Sequence, residues 1–139
     1  MEIFKTFCVT LFFGIIVHLL EYLIGTDFTR EFFQKNLISL LTTLLAINIA
    51  VLSIILTRMS VRDPSMSNFE NSKAEIWKSI NEQVILIAAA LILSIFSSKE
   101  SYSIYPDLIE HTISVLFITV FIYAIYILRD TARALIDIH

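Results

Sequence analysis

Four side chains could do chemistry: His18 and Glu21 in one apolar run, and Glu110 and His111 at the head of another. Two imidazoles and two carboxylates can ligate a divalent metal or relay protons, and ionisable groups inside apolar runs are functional candidates by default. They meet only if the two runs are antiparallel helices crossing the same layer. All four then lie within about 5–11 Å of one boundary, at 1.5 Å per residue. The plainer account is preferred. At that depth each group can reach the interface, so the four are read as an outer-side polar cluster that pairs internally or lines a vestibule, with no metal and no cofactor.

The elements that must hold these groups are apolar helices. Of 139 residues, 57% are hydrophobic and 17% charged, against about 25% charged in average soluble domains. Candidate spans cover residues 3–24, 37–57, 79–98 and 108–128. The second contains no charge, Gly or Pro, and as a helix it covers about 30 Å, the thickness of the hydrocarbon layer. A soluble domain of this size cannot hide four such runs. The expected fold is an all-α integral membrane protein, a four-transmembrane-helix bundle in which residues 1–139 form a single membrane domain.

The first span reads as a retained anchor, because Glu2 and Lys5 balance and no small-x-small cleavage site follows. Gly25-Thr26-Asp27 should end it, with Thr26 or Asp27 capping a short amphipathic turn through Lys35 that lays Phe28, Phe32 and Phe33 in the interface. Residues 58–78 form a cytoplasmic hairpin, broken at Asp63-Pro64, with the third helix starting near Ser67 or Asn68. Tyr102 and Tyr105 sit at interface depth, Pro106 opens the fourth helix, and residues 129–139 make a short cytoplasmic helix. With both ends in the cytosol, the inner side carries Lys5, Arg58, Arg62, Lys73, Lys78, Arg129 and Arg133, and the outer side only Arg30, Lys35 and Lys99. That asymmetry predicts an N-in, C-in orientation.

Helix faces add a second set of candidates. Ser39, Thr43, Ala46, Ala50, Ser53 and Thr57 recur at steps of four and three on a Leu/Ile cylinder. Small residues in lipid mark close helix approach, so the second span is expected at the centre of the assembly. The stripe is either the packing seam between the second and first helices of one chain, or a row of pore hydroxyls that several copies present to a shared axis. Thr112, Thr119, Tyr123 and Tyr126 offer a rival pore face, and the first span has its own stripe of Thr10, Gly14, His18, Glu21 and Gly25. Asn48 faces away from the stripe and should hydrogen-bond to another helix near mid-bilayer. Four thin helices hardly enclose a water path alone, so conduction requires a homo-oligomer, most simply a cyclic ring.

Other chemistry is poorly represented. The net charge of −3 recruits no nucleic acid globally. Cys8 is the single cysteine, and no Walker loop, HExxH, CxxC or GxSxG is present. The chain is therefore read as a non-enzyme. The basic residues Arg58, Arg62, Lys73, Lys78, Arg129 and Arg133 could hold an anionic cytoplasmic ligand or lipid headgroups, although topology alone also places them there.

The segments LLTTLLAINIAVLSIILTRM and NSKAEIWKSINEQVILIAAALIL, within residues 37–93, resemble in texture the small multi-span effectors of bacterial antiphage loci, nearest the Hailong-type membrane channels. The resemblance implies an oligomeric ion channel of the bacterial inner membrane, held shut by an oligonucleotide and opened on infection. It transfers no site residue. The expectation is thus an oligomeric inner-membrane channel or pore, its partners being lipid, further copies of itself and such a ligand. The alternatives are a non-catalytic anchor or accessory subunit, a holin-like lysis protein, or a metal-dependent membrane enzyme built on the His/Glu cluster.

Overall fold

The computed structural model describes residues 2–62, 70–97 and 106–137, and they form four α-helices: α1 (Glu2–Ile24), α2 (Phe28–Arg62), α3 (Glu70–Ser97) and α4 (Pro106–Asp137). Each is long and apolar enough to cross a membrane. The surface they expose fits no aqueous fold. Phe4, Phe12, Phe13, Leu19, Leu20, Ile85, Ile92, Ile95 and Phe96 all face outward. In water such surface would be aggregation-prone; in hydrocarbon it is ordinary lipid-facing surface. The described chain is therefore an all-helical fold of the kind a membrane protein requires.

Gly25 ends α1 with φ of 74°, and the amides of Gly25 and Thr26 return to the Glu21 carbonyl. This is a glycine C-terminal cap, since a left-handed residue without Cβ satisfies the carbonyls of the last turn. Asp27 follows, its carbonyl accepting the Glu31 amide, so α2 starts at once. The amphipathic turn expected through Lys35 is no separate element: α2 runs unbroken for 35 residues, about 52 Å. Nothing between Lys35 and Leu37 blocks a helix, so propagation continues once the cap has nucleated it. Nor does Phe33 stay in an interface. It is buried against Phe121 at a centroid distance of 5.1 Å, while Phe28 and Phe32 stack outside at 5.7 Å.

The hairpin assigned to 58–78 is helical over both of its described parts, as the end of α2 and the start of α3. Asp63, Pro64, Ser67, Asn68 and Phe69 lie outside the described residues, as do Lys99, Tyr102 and Tyr105. At the far end, α4 continues through Arg129 without a break to Asp137.

The helix at the centre is α4, not α2. It packs against α1, α2 and α3, whereas α1 barely touches α2. Phe117, Ile118, Thr119, Val120 and Ala124 are buried, and Leu37, Leu41 and Ala90 close on the same core. The reason is breadth. A helix that meets three neighbours must bury several faces, and α4 offers Ser114, Thr119 and Ala124 among bulkier residues on different sides. On α2, by contrast, Phe33, Leu37, Leu41, Asn48, Leu52, Ile55 and Met59 fall on one face. A second cluster, Leu52, Ile55, Met59 and Ile76, joins the far end of α2 to α3.

Near mid-bundle the core turns polar. Asn48 is fully buried and Gln83 is 2% exposed. The Asn48 amide donates to Gln83 Oε1 at 3.0 Å and to Ser79 Oγ at 3.2 Å, and Ser79 Oγ lies 3.4 Å from Thr131 Oγ1. One asparagine thereby ties α2, α3 and α4 together. Asn48→Leu is expected to cost about 0.6–2 kcal/mol, the usual worth of such contacts in lipid, because it strands the Gln83 carbonyl. Adding Gln83→Leu should recover part of that loss, since the pair can be replaced more safely than one partner. Unfolding titrations in mixed detergent would give the coupling. Purely additive effects of the two substitutions would contradict the network.

Candidate functional site

The bundle brings together three features worth weighing as sites: a polar cluster at the end where α1 hands over to α2, an open cleft at the opposite end, and the small-residue stripe of α2.

At the first end, the four residues singled out by type meet across α1 and α4. His18 Nε2 and His111 Nδ1 are 3.0 Å apart, with ring centroids at 5.0 Å. The Tyr22 ring stands edge-on to His111 at 5.9 Å. Glu21 is only 8% exposed, and its burial has a local cause. Its carboxylate accepts the Thr29 amide in the first turn of α2, where unsatisfied N–H groups and the helix dipole favour a negative group. Glu110 pairs with Arg30, a partner that sequence spacing did not single out. The carboxylates therefore have structural occupations of their own. Among the described residues no three His, Cys, Asp or Glu side chains converge as a metal cage.

The seam beneath this cluster is the stripe of α1. Thr10 and Gly14 are buried and His18 is largely so. They face α4, not lipid and not α2. Gly14 lies so close to α4 that a Cβ there would fall 2.6 Å from Thr119 Oγ1 and 3.1 Å from the Val115 carbonyl oxygen.

At the other end, a half-open cleft of about 870 Å³ is lined by all four helices. Lys5 comes from α1, Met59 from α2, Glu75, Lys78 and Glu82 from α3, and Tyr123, Tyr126 and Asp130 from α4. Ser79 and Thr131, which belong to the Asn48 network, also border it. Lys78 and Glu82 approach to 3.9 Å. Three carboxylates face two ammonium groups here, so the cleft does not favour an anion. Of the six cations considered for an anionic ligand, Lys78 alone lines it. Arg62, Arg129 and Arg133 are exposed at the same end, with Arg129 over the Tyr126 ring at 5.8 Å. Arg58 is also exposed and Lys73 half-buried.

The third feature corrects an expectation. Ser39, Thr43, Ala46, Ala50, Ser53 and Thr57 are all exposed, so the stripe is no seam between α2 and α1 of one chain. The face opposite, carrying Asn48, took the intrachain contacts because its larger residues fill the gap to α3 and α4. The hydroxyls of Thr43, Ser53 and Thr57 donate to the carbonyls of Ser39, Ile49 and Ser53 at 2.8–2.9 Å. The rival face on α4 does not hold as a unit. Thr119 and Tyr123 are buried within the bundle, and Thr112 sits exposed with its hydroxyl on the Leu108 carbonyl.

Sequence reasoning missed Arg30, Gln83 and Thr131. Gln83 had a usable signal: it is an amide within an apolar span, one helical turn from Ser79. Arg30 had none, since its partner lies eighty residues away. Compared with protein-family models, curated proteins and solved structures, the chain matches none.

Proposed function

We propose that this chain is a subunit of an oligomeric ion channel in the bacterial inner membrane. One observation carries the reading: the stripe from Ser39 to Thr57 follows the middle of α2 on an exposed face that none of the described helices covers. Small residues gain nothing from facing lipid, whereas they allow copies to approach closely around an axis. The stripe hydroxyls donate their protons along the helix, so oxygen lone pairs point outward, a lining that suits a cation.

The remaining parts of the reading follow from charge. Among the described residues seven Lys and Arg belong to the cleft end and two, Arg30 and Lys35, to the histidine end, an asymmetry that supports a cytosolic cleft. The cleft then forms an inner vestibule whose carboxylates gather cations. The chain acts without catalysis, because the outer imidazoles and carboxylates are engaged with one another, with Arg30 or with an amide. An oligonucleotide gate, which only the likeness to the Hailong-type effectors suggests, would bind the exposed Arg62, Arg129 and Arg133 and not the cleft.

The direct experiment measures mass and flux together. The purified chain is expected to form a discrete ring in detergent and to release potassium from liposomes. A ring without flux would support an anchor or accessory subunit. Flux through lesions of variable size would support a holin. A strictly monomeric, non-conducting protein would overturn the channel reading.

A further inference from the structure

We propose that His18 and His111 form an exchangeable site for a borderline-soft divalent cation, Zn²⁺, Ni²⁺ or Cu²⁺, bridging α1 and α4. The geometry stands close to chelation. A tetrahedral ion bound by two imidazoles at about 2.0–2.1 Å separates their nitrogens by roughly 3.3 Å. His18 Nε2 and His111 Nδ1 are 3.0 Å apart, so a few tenths of an ångström of opening admits the ion. The two rings come from different helices, with centroids 5.0 Å apart and planes tilted by 56°. His111 is exposed, giving a route from water.

A second observation points the same way. His18 Nδ1 is buried without a hydrogen-bond partner, and Glu21 Oε2 stands beyond bonding reach at 3.9 Å. A metal on Nε2 makes Nδ1–H the donor that a nearby carboxylate can accept, the arrangement that orients most metal-ligating histidines. Glu21 is also positioned to offset the incoming charge while its hold on the Thr29 amide keeps it in place. Glu110 is engaged by Arg30, so water completes the coordination. Such a site prefers imidazole-seeking ions and passes over Mg²⁺ and Ca²⁺, which select oxygen. Being only two-liganded from the protein, it is exchangeable, not a structural cage.

The test is calorimetric titration of the full chain in detergent with ZnCl₂ alone. One ion per chain is expected. MgCl₂ should give no binding heat. His111→Gln, at an exposed position that leaves the bundle intact, should weaken zinc at least about tenfold, and His111→Cys should restore it, thiolate being an alternative zinc ligand. In the Cu²⁺-loaded protein, electron spin resonance should register two nitrogen ligands, falling to one in His111→Gln. Unchanged zinc affinity in that variant, or a copper signal without paired nitrogens, would overturn the site. The readout is metal binding, so it stands or falls independently of conduction.

Discussion

Gly14→Leu is expected to unseat α1 from the bundle. A Cβ at this position already meets Thr119 Oγ1 at 2.6 Å and the Val115 carbonyl oxygen at 3.1 Å. The first obstacle is a side chain held by its own hydrogen bond to Val115 at 2.7 Å, and the second is backbone. The second cannot yield without moving α4, and the first yields only by giving up that bond. Overpacking a filled core costs about 1–3 kcal/mol and sometimes more, and leucine adds three carbons beyond the clash. Since α1 has almost no other partner than α4, the loss should concentrate on α1 and leave the α2–α3–α4 core largely standing. Thermal melting in detergent should drop markedly, and the His18–His111 contact should be lost with it. Gly14→Ala should be milder, and combining it with Thr119→Ala should relieve it, because the nearest colliding atom is gone. A Gly14→Leu protein as heat-resistant as the parent would show that α1 and α4 do not approach so closely.

Ser53→Leu is expected to abolish most ion flux while leaving the folded chain untouched. Ser53 is exposed, and its hydroxyl donates along its own helix to the Ile49 carbonyl. The substitution therefore disturbs no intrachain packing, and any large effect must come from another copy. Under the channel proposal three carbons replace the hydroxyl at a narrow shared axis and add an apolar constriction that sheds water. Flux from liposomes should fall by at least about tenfold, as expected for dewetting, with the detergent mass unchanged. Loss of the ring instead would make the stripe a contact between copies rather than a lining. Parental flux and parental mass together would remove α2 from both roles.

What could be read from the residues alone was the number and nature of the helices. Charge-free 37–57 and its three companions are legible because crossing hydrocarbon demands about twenty apolar residues whatever their neighbours do. The glycine cap at Gly25 is equally local, requiring only a left-handed φ. Asn48 could be expected to seek a partner, because an unbonded amide in an apolar interior is costly.

Partner choice belongs to the tertiary structure. The stripe of α2 and the stripe of α1 look alike as sequence, yet Gly14 is buried under Thr119 while Ala46 and Ala50 face outward. Lipid and protein interior are nearly equal solvents for apolar groups, so hydropathy says little about which face meets protein. Close packing decides it, through the volumes of residues brought together from separate helices. For the same reason α4, not α2, became the centre, and Arg30 found Glu110 across eighty residues of chain.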